Sequence, residues 1–173
     1  KGRPSAWSST VDRLASDYTG EGQFPRLFVL CGGNTEDAQS WNTYHASLSS
    51  RGIRDPGQAW NAVTVGAYTR KTTITEADAQ GLTPVAPEGG LSPYTRTSCG
   101  WDSAWPFKPD VVFEGGNAGK DVLGAVGVTS LHLLTVHNAP VERLFTTTNA
   151  TSAASALGAR MAAQLMASYP ALR

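Results

Sequence analysis

Two short apolar runs that each end in Gly-Gly-Asn constrain this chain more than any other feature. Arg26-Leu27-Phe28-Val29-Leu30-Cys31 runs straight into Gly32-Gly33-Asn34, and Lys108-Pro109-Asp110-Val111-Val112-Phe113-Glu114 into Gly115-Gly116-Asn117. The first, a short continuous apolar run, predicts a strand buried on both faces, as in parallel sheets, and the second a short strand closed by its glycines. Ala62-Val63-Thr64-Val65-Gly66-Ala67 reads as another. Ahead of them, Trp7, Val11, Leu14 and Tyr18 recur at helical spacing after Pro4-Ser5, which predicts an amphipathic helix from about Ser5 to Asp17, ended by Gly20 and Gly22. Helix, buried strand and glycine turn in succession is the grammar of an α/β domain.

The segments between these elements are long. Residues 35–58 are polar and turn-rich, with Trp41, Tyr44 and Leu48 as large apolar anchors and room for a helical turn. Residues 70–93 form a second loop containing Pro84, Pro87, Gly89, Gly90 and Pro93. Long loops in compact domains are usually functional. Val126, Val128, Leu131, Leu133 and Leu134 predict a strand or irregular apolar segment, and Leu144-Phe145-Thr146-Thr147 a last short strand. The small polar run Thr146 to Ala154 then gives way to Ser155 to Met166, a helix former's composition, with Ser152 at the first turn. There is no internal repeat or low-complexity linker, so the chain is one α/β domain or a large piece of one.

Charge excludes some classes of function. Fourteen basic and 14 acidic residues cancel, without a Lys or Arg run, so the footprint of a nucleic-acid binder is missing. No apolar stretch is long enough to span a bilayer, and the opening Lys1-Gly2-Arg3-Pro4 is not followed by a signal-peptide core. The chain is expected to be soluble, with its compartment open. Cys31 and Cys99 show no metal-type spacing; we expect two free thiols, with Cys31 buried in its apolar run.

Ser152 is the residue with chemical value. A helix N-terminus offers N–H groups without intrahelical partners and a partial positive charge, so a hydroxyl there can attack a carbonyl beside ready-made anion donors. The plainer role is a helix cap for Thr151 or Ser152. In open parallel sheets the crevice outside the carboxyl ends of the strands is the usual place for a site. A phosphate cradle has little support, since neither a GxGxxG nor a GxxxxGK[ST] occurs.

The order of the blocks carries a more specific resemblance. Phe28-Val29-Leu30-Cys31-Gly32-Gly33-Asn34 resembles the strand and turn bearing the oxyanion-hole asparagine of subtilisin-like serine peptidases, the subtilases. Trp60 to Ala67 is similar to their NAITVGA strand, Lys108 to Val112 to their KPDV segment, and Asn149-Ala150-Thr151-Ser152-Ala153-Ala154 to NGTSMA, which carries the nucleophile. The resemblance implies a subtilisin-like three-layer α/β fold, a mainly parallel sheet flanked by helices, with residues 1–173 its C-terminal portion. It implies a serine endopeptidase working through an acyl-enzyme, with Ser152 as nucleophile and Asn34 as oxyanion donor. It implies peptide or protein substrates and no required cofactor. Many subtilases use structural calcium, but Glu36-Asp37 is too sparse an acidic cluster to assign a site.

The departures from the family pattern matter equally. Ala150 stands where the family has glycine, and Ala156 where a proline usually follows the nucleophile. If that glycine position needs φ > 0, alanine there is strained. Asn149-Ala150-Thr151 spells a glycosylation sequon, which we discount because a glycan would block this turn. Neither an Asp-Ser/Thr-Gly nor a His-Gly-Thr block occurs, so the other triad members would come from the missing N-terminal part of the same domain, and the isolated chain is expected to be inactive. His45, His132 and His137 are expected to be surface or satisfied core residues. Two rival readings follow: a non-catalytic subtilase-like binding or scaffold domain, or another serine hydrolase with one of these histidines within reach of Ser152. Many subtilases are secreted, but no signal segment is present in this chain.

Overall fold

The computed structural model describes residues 2–18, 20 and 26–171. In chain order the elements are α1 (Ala6–Ala15), β1 (Val29–Cys31), α2 (Ala38–Asn42), α3 (Ala46–Ser50), β2 (Val63–Tyr68), β3 (Thr83–Pro84), β4 (Val111–Glu114), β5 (Ala118–Lys120), β6 (Ala125–Gly127), a 3₁₀ turn (Thr129–Leu131), β7 (Leu133–Val136), β8 (Phe145–Thr148) and α4 (Ala150–Ser168). The expected end of the first helix at Gly22 lies outside the described residues.

Three parallel strands in the order β1-β2-β4 make the central sheet, with Val29 opposite Val63 and Val65 opposite Val111. On one face, Val65, Ala67 and Ala154 form a core against which Val29, Val63, Val111 and Phe113 pack. The small residues of α4 make that approach close: a Cβ on Gly158 would lie 3.2 Å from Phe113 Cε2 and 3.3 Å from Val65 Cγ2. A second cluster is formed by Val11 of α1 with Ala59 and Ala62, backed by Phe28 and Leu30. Ser5 caps α1 by accepting from the Trp7 and Ser8 N–H groups, as a serine at that position should. The Ser5 and Ser8 hydroxyls both donate to Asp55 Oδ1 at 2.8 Å, which ties the helix to the loop beyond α3.

The Lys-Pro-Asp segment has a structural reason for its composition. The Lys108 side chain is 1% exposed, and its Nζ donates to Asp110 Oδ2 at 2.6 Å and to the Ala62 carbonyl at 3.0 Å. Asp110 Oδ2 also accepts from the Thr64 N–H at 2.7 Å. A buried ammonium must be paired and hydrogen-bonded. Here the pairing pins the start of β4 to β2.

One expectation about the sheet fails. The run at β1 is not buried on both faces: Val29 and Leu30 are half-buried, Cys31 is exposed and Leu27 is 52% exposed. The reason is position, since among the described residues β1 is an edge strand paired with β2 alone. Cys31 and Cys99 are both free, as expected, but both are exposed.

The loops hold more order than their composition suggests. Residues 35–58 contain the two short helices α2 and α3, anchored by buried Leu48 and Ile53. The apolar segment around residues 126–134 resolves into β6, the 3₁₀ turn and β7. β7 and β8 form an antiparallel hairpin, with Leu133 paired to Thr148 and Val136 to Phe145, that feeds directly into α4. Among the described residues no helix is long and apolar enough to cross a membrane.

Candidate active site

The turns after β1 and β4 and the N-terminus of α4 meet at the carboxyl ends of the parallel strands. The Ala150 N–H donates to the Gly115 carbonyl at 2.7 Å. Gly115 must be glycine for that approach, because a Cβ there would collide with Ala67 and lie 2.9 Å from the Ala150 oxygen. Ala150 itself is buried and sits at φ 65°, the left-handed region that a Cβ makes costly. The glycine-to-alanine departure therefore falls on a strained position, held by its neighbours.

Asn34, 117 residues from Thr151 in sequence, reaches this turn from the end of β1. Its Oδ1 accepts from the Thr151 N–H at 3.0 Å and the Thr151 hydroxyl at 2.6 Å. Asn34 thus caps α4 from outside the helix. These two bonds orient the amide and leave its Nδ2 group over; among the described residues Nδ2 makes no protein hydrogen bond. Arg96 Nε donates to the Asn34 carbonyl at 2.7 Å and Nη1 to the Gly52 carbonyl at 3.2 Å, fixing the backbone behind the amide.

Ser152 is exposed in the first turn of α4, whereas Thr151 is fully buried. Beside Asn34 lies a cleft of about 280 Å³ lined by Asn34, Glu36, Trp41, Tyr94, Asn149 and Ala150. Its walls are cross-braced: Trp41 Nε1 donates to the Thr35 carbonyl at 2.9 Å, and the Trp41 and Tyr94 rings meet edge to face at 5.1 Å. A larger cleft of about 380 Å³ near Asp78, Asp121 and Val126 is lined by no serine, threonine, cysteine or histidine. Among the described residues no group of three or more His, Cys, Asp or Glu is placed to hold a metal ion.

None of the three histidines hydrogen-bonds Ser152. His45 is exposed at the entry to α3, and His137 Nδ1 accepts from the Ala139 N–H at 3.0 Å. His132 lies 3.1 Å, through Nε2, from both Tyr94 Oη and Asn149 Nδ2. Burial lowers its pKa, the Lys71 charge acting in the same direction and Glu76 against it. Burial likewise pushes the Tyr94 hydroxyl up to about 12, opposed by a hydrogen bond from Asn149. The reading in which a histidine of this chain serves Ser152 as base is therefore not supported by the geometry. Sequence reasoning singled out Asn34 and Ser152 but missed the cluster of Tyr94, His132 and Asn149.

An exposed serine in the first turn of α4, an amide from a neighbouring strand end and a braced cleft thus come together at the carboxyl end of a parallel α/β sheet. The family model for the subtilases matches residues 1–173, and the chain belongs to the subtilase family. That family consists of serine peptidases, so the kind of activity this fold carries is peptide-bond hydrolysis on peptide or protein substrates. No curated protein and no solved structure matches the chain.

Proposed function

We propose that the intact protein is a subtilisin-type serine endopeptidase in which residues 1–173 form the C-terminal portion of the catalytic domain. Ser152 Oγ attacks the scissile carbonyl carbon while a base removes the hydroxyl proton. The resulting oxyanion is held by Asn34 Nδ2–H and the Ser152 N–H, the base returns its proton to the amine nitrogen as the C–N bond breaks and the amine leaves, and water then attacks the acyl-enzyme to release the carboxylic acid and restore the Ser152 hydroxyl. The base and its orienting aspartate belong to chain upstream of Lys1. Without them Ser152 is a poor nucleophile, and this chain alone is inactive. The chemistry requires no cofactor.

The observation that carries this reading is the placement of Asn34. Its oxygen is committed to Thr151 and its amide N–H groups are left for a ligand, beside an exposed serine whose backbone N–H lies in the first turn of a helix. The edge of β1, unpaired among the described residues, and the exposed Met161, Leu165 and Met166 of α4 support the placement as a C-terminal portion, since an upstream segment of the same domain would cover them.

The rival reading, a non-catalytic binding or scaffold domain, draws on the strained Ala150. Assaying the intact protein and its Ser152→Ala variant on peptide substrates separates the two. A serine peptidase loses at least about 10⁴-fold in kcat on this substitution. A scaffold shows no hydrolysis to lose.

A further inference from the structure

Asn149 occupies the N-cap of α4, the position where asparagine is among the best caps, yet its side chain makes no capping bond. The cap comes instead from Asn34 Oδ1, bonded to Thr151. The hairpin register explains where the Asn149 amide has gone. Leu133 pairs with Thr148, so the next residues outward, His132 and Asn149, face each other, and Asn149 Nδ2 lies 3.1 Å from His132 Nε2.

Neutral imidazole has one lone pair on the unprotonated nitrogen, so the bonding around Nε2 can be resolved. Tyr94 Oη–H donates to the Asn117 carbonyl at 3.1 Å. Asn149 Nδ2–H then donates to His132 Nε2, which puts the His132 proton on Nδ1, and Tyr94 Oη lies against the same ring nitrogen at 3.1 Å. Tyr94 is 3% exposed, and Asn117, whose carbonyl it holds, is fully buried. The anchor for Asn149 is thus a rigid one.

The consequence lies in what a released Asn149 would do. An N-cap side chain accepts from the second or third N–H of its helix. For α4 these belong to Thr151 and Ser152, and Asn34 already occupies the first. A freed Asn149 Oδ1 would bond the Ser152 N–H, one of the two donors assigned above to the oxyanion. Resting on that assignment, we infer that His132, braced by Tyr94, is a positioning residue that holds the Asn149 amide away from the Ser152 N–H and so keeps the oxyanion hole open.

The test is made in the intact protein with His132→Leu, His132→Gln, Asn149→Ala and the double variant H132L/N149A, each checked for an unchanged Tm. Hydrogen exchange at the Ser152 amide reads the hole directly. His132→Leu slows that exchange and lowers kcat, with KM little changed, by about fivefold to thirtyfold, the range set by the strength of an N-cap bond. His132→Gln, whose amide oxygen still accepts from Asn149, stays near the unaltered protein. H132L/N149A returns to the level of Asn149→Ala, because no side chain remains to fall into the hole. A purely structural histidine would not be rescued in this way.

Unchanged Ser152 exchange in His132→Leu, or slow exchange that persists in the double variant, overturns the inference. If His132→Leu does not fold, His132→Ala carries the same comparison. An unaltered protein without hydrolysis contradicts the peptidase reading, whereas the exchange comparison still decides the role of His132.

Discussion

The two halves of α4 live in different surroundings. From Ala150 to Gly158 the helix is clamped: Gly115 and Asn34 bind its first turn, and Ala153, Ala154 and Gly158 lie close against the sheet. From Met161 onward it overhangs, with Met161, Leu165 and Met166 between 42% and 65% exposed. A helix of 19 residues is about 28 Å long at 1.5 Å per residue, whereas the three parallel strands that support it have three, six and four residues. The clamped half meets its polar partners in strand-end turns far away in sequence. The other half presents apolar side chains that nothing among the described residues covers. Precision is concentrated where Ser152, the proposed nucleophile, sits, and the apolar remainder is left exposed.

Substitutions in the clamped half and the sheet beneath it should therefore cost far more than those in the overhang. The largest effect is expected from Asp110→Ala, which leaves the buried Lys108 ammonium without its carboxylate and costs about 3–5 kcal/mol, read by denaturant unfolding. Asn34→Asp comes next. It keeps the two oxygen contacts to Thr151 but replaces the N–H donors by a second carboxylate oxygen, so Tm holds while kcat of the intact enzyme falls on the order of 10²–10³, the loss known for this donor in subtilisin. Gly158→Val forces a side chain against Phe113 and Val65 and destabilises by about 1–3 kcal/mol. Leu165→Gln is the sharpest probe of the overhang. In residues 1–173 alone it changes stability by less than about 0.5 kcal/mol, while in the intact protein it costs about 1 kcal/mol or more if upstream chain covers that face.

Much of the sheet was legible because its strands are short, apolar and closed by glycine, and because small residues mark the approach of α4. Asn34 and Ser152 were legible as members of ordered blocks, and Ala150 as a departure whose cost the positive φ makes concrete. The exposure of Cys31 was not, since an apolar run says that a strand is to be covered without saying by what. The contact between His132 and Asn149 depends on the register of the β7-β8 hairpin, which no pattern in Leu133–Val136 or Phe145–Thr148 specifies. Tyr94 directly follows the Pro- and Gly-rich loop of residues 70–93, yet it is buried, with its hydroxyl donating to the Asn117 carbonyl that only the folded chain brings to it.

The account rests on Ser152 being a nucleophile whose oxyanion hole lies in this chain and whose base does not. Fluorophosphonate labelling of the intact protein and of residues 1–173, side by side and with Ser152→Ala as blank, tests this most directly. The account predicts covalent labelling of Ser152 in the intact protein and none in residues 1–173. Robust labelling of Ser152 in residues 1–173, or none in the folded intact protein, would contradict it.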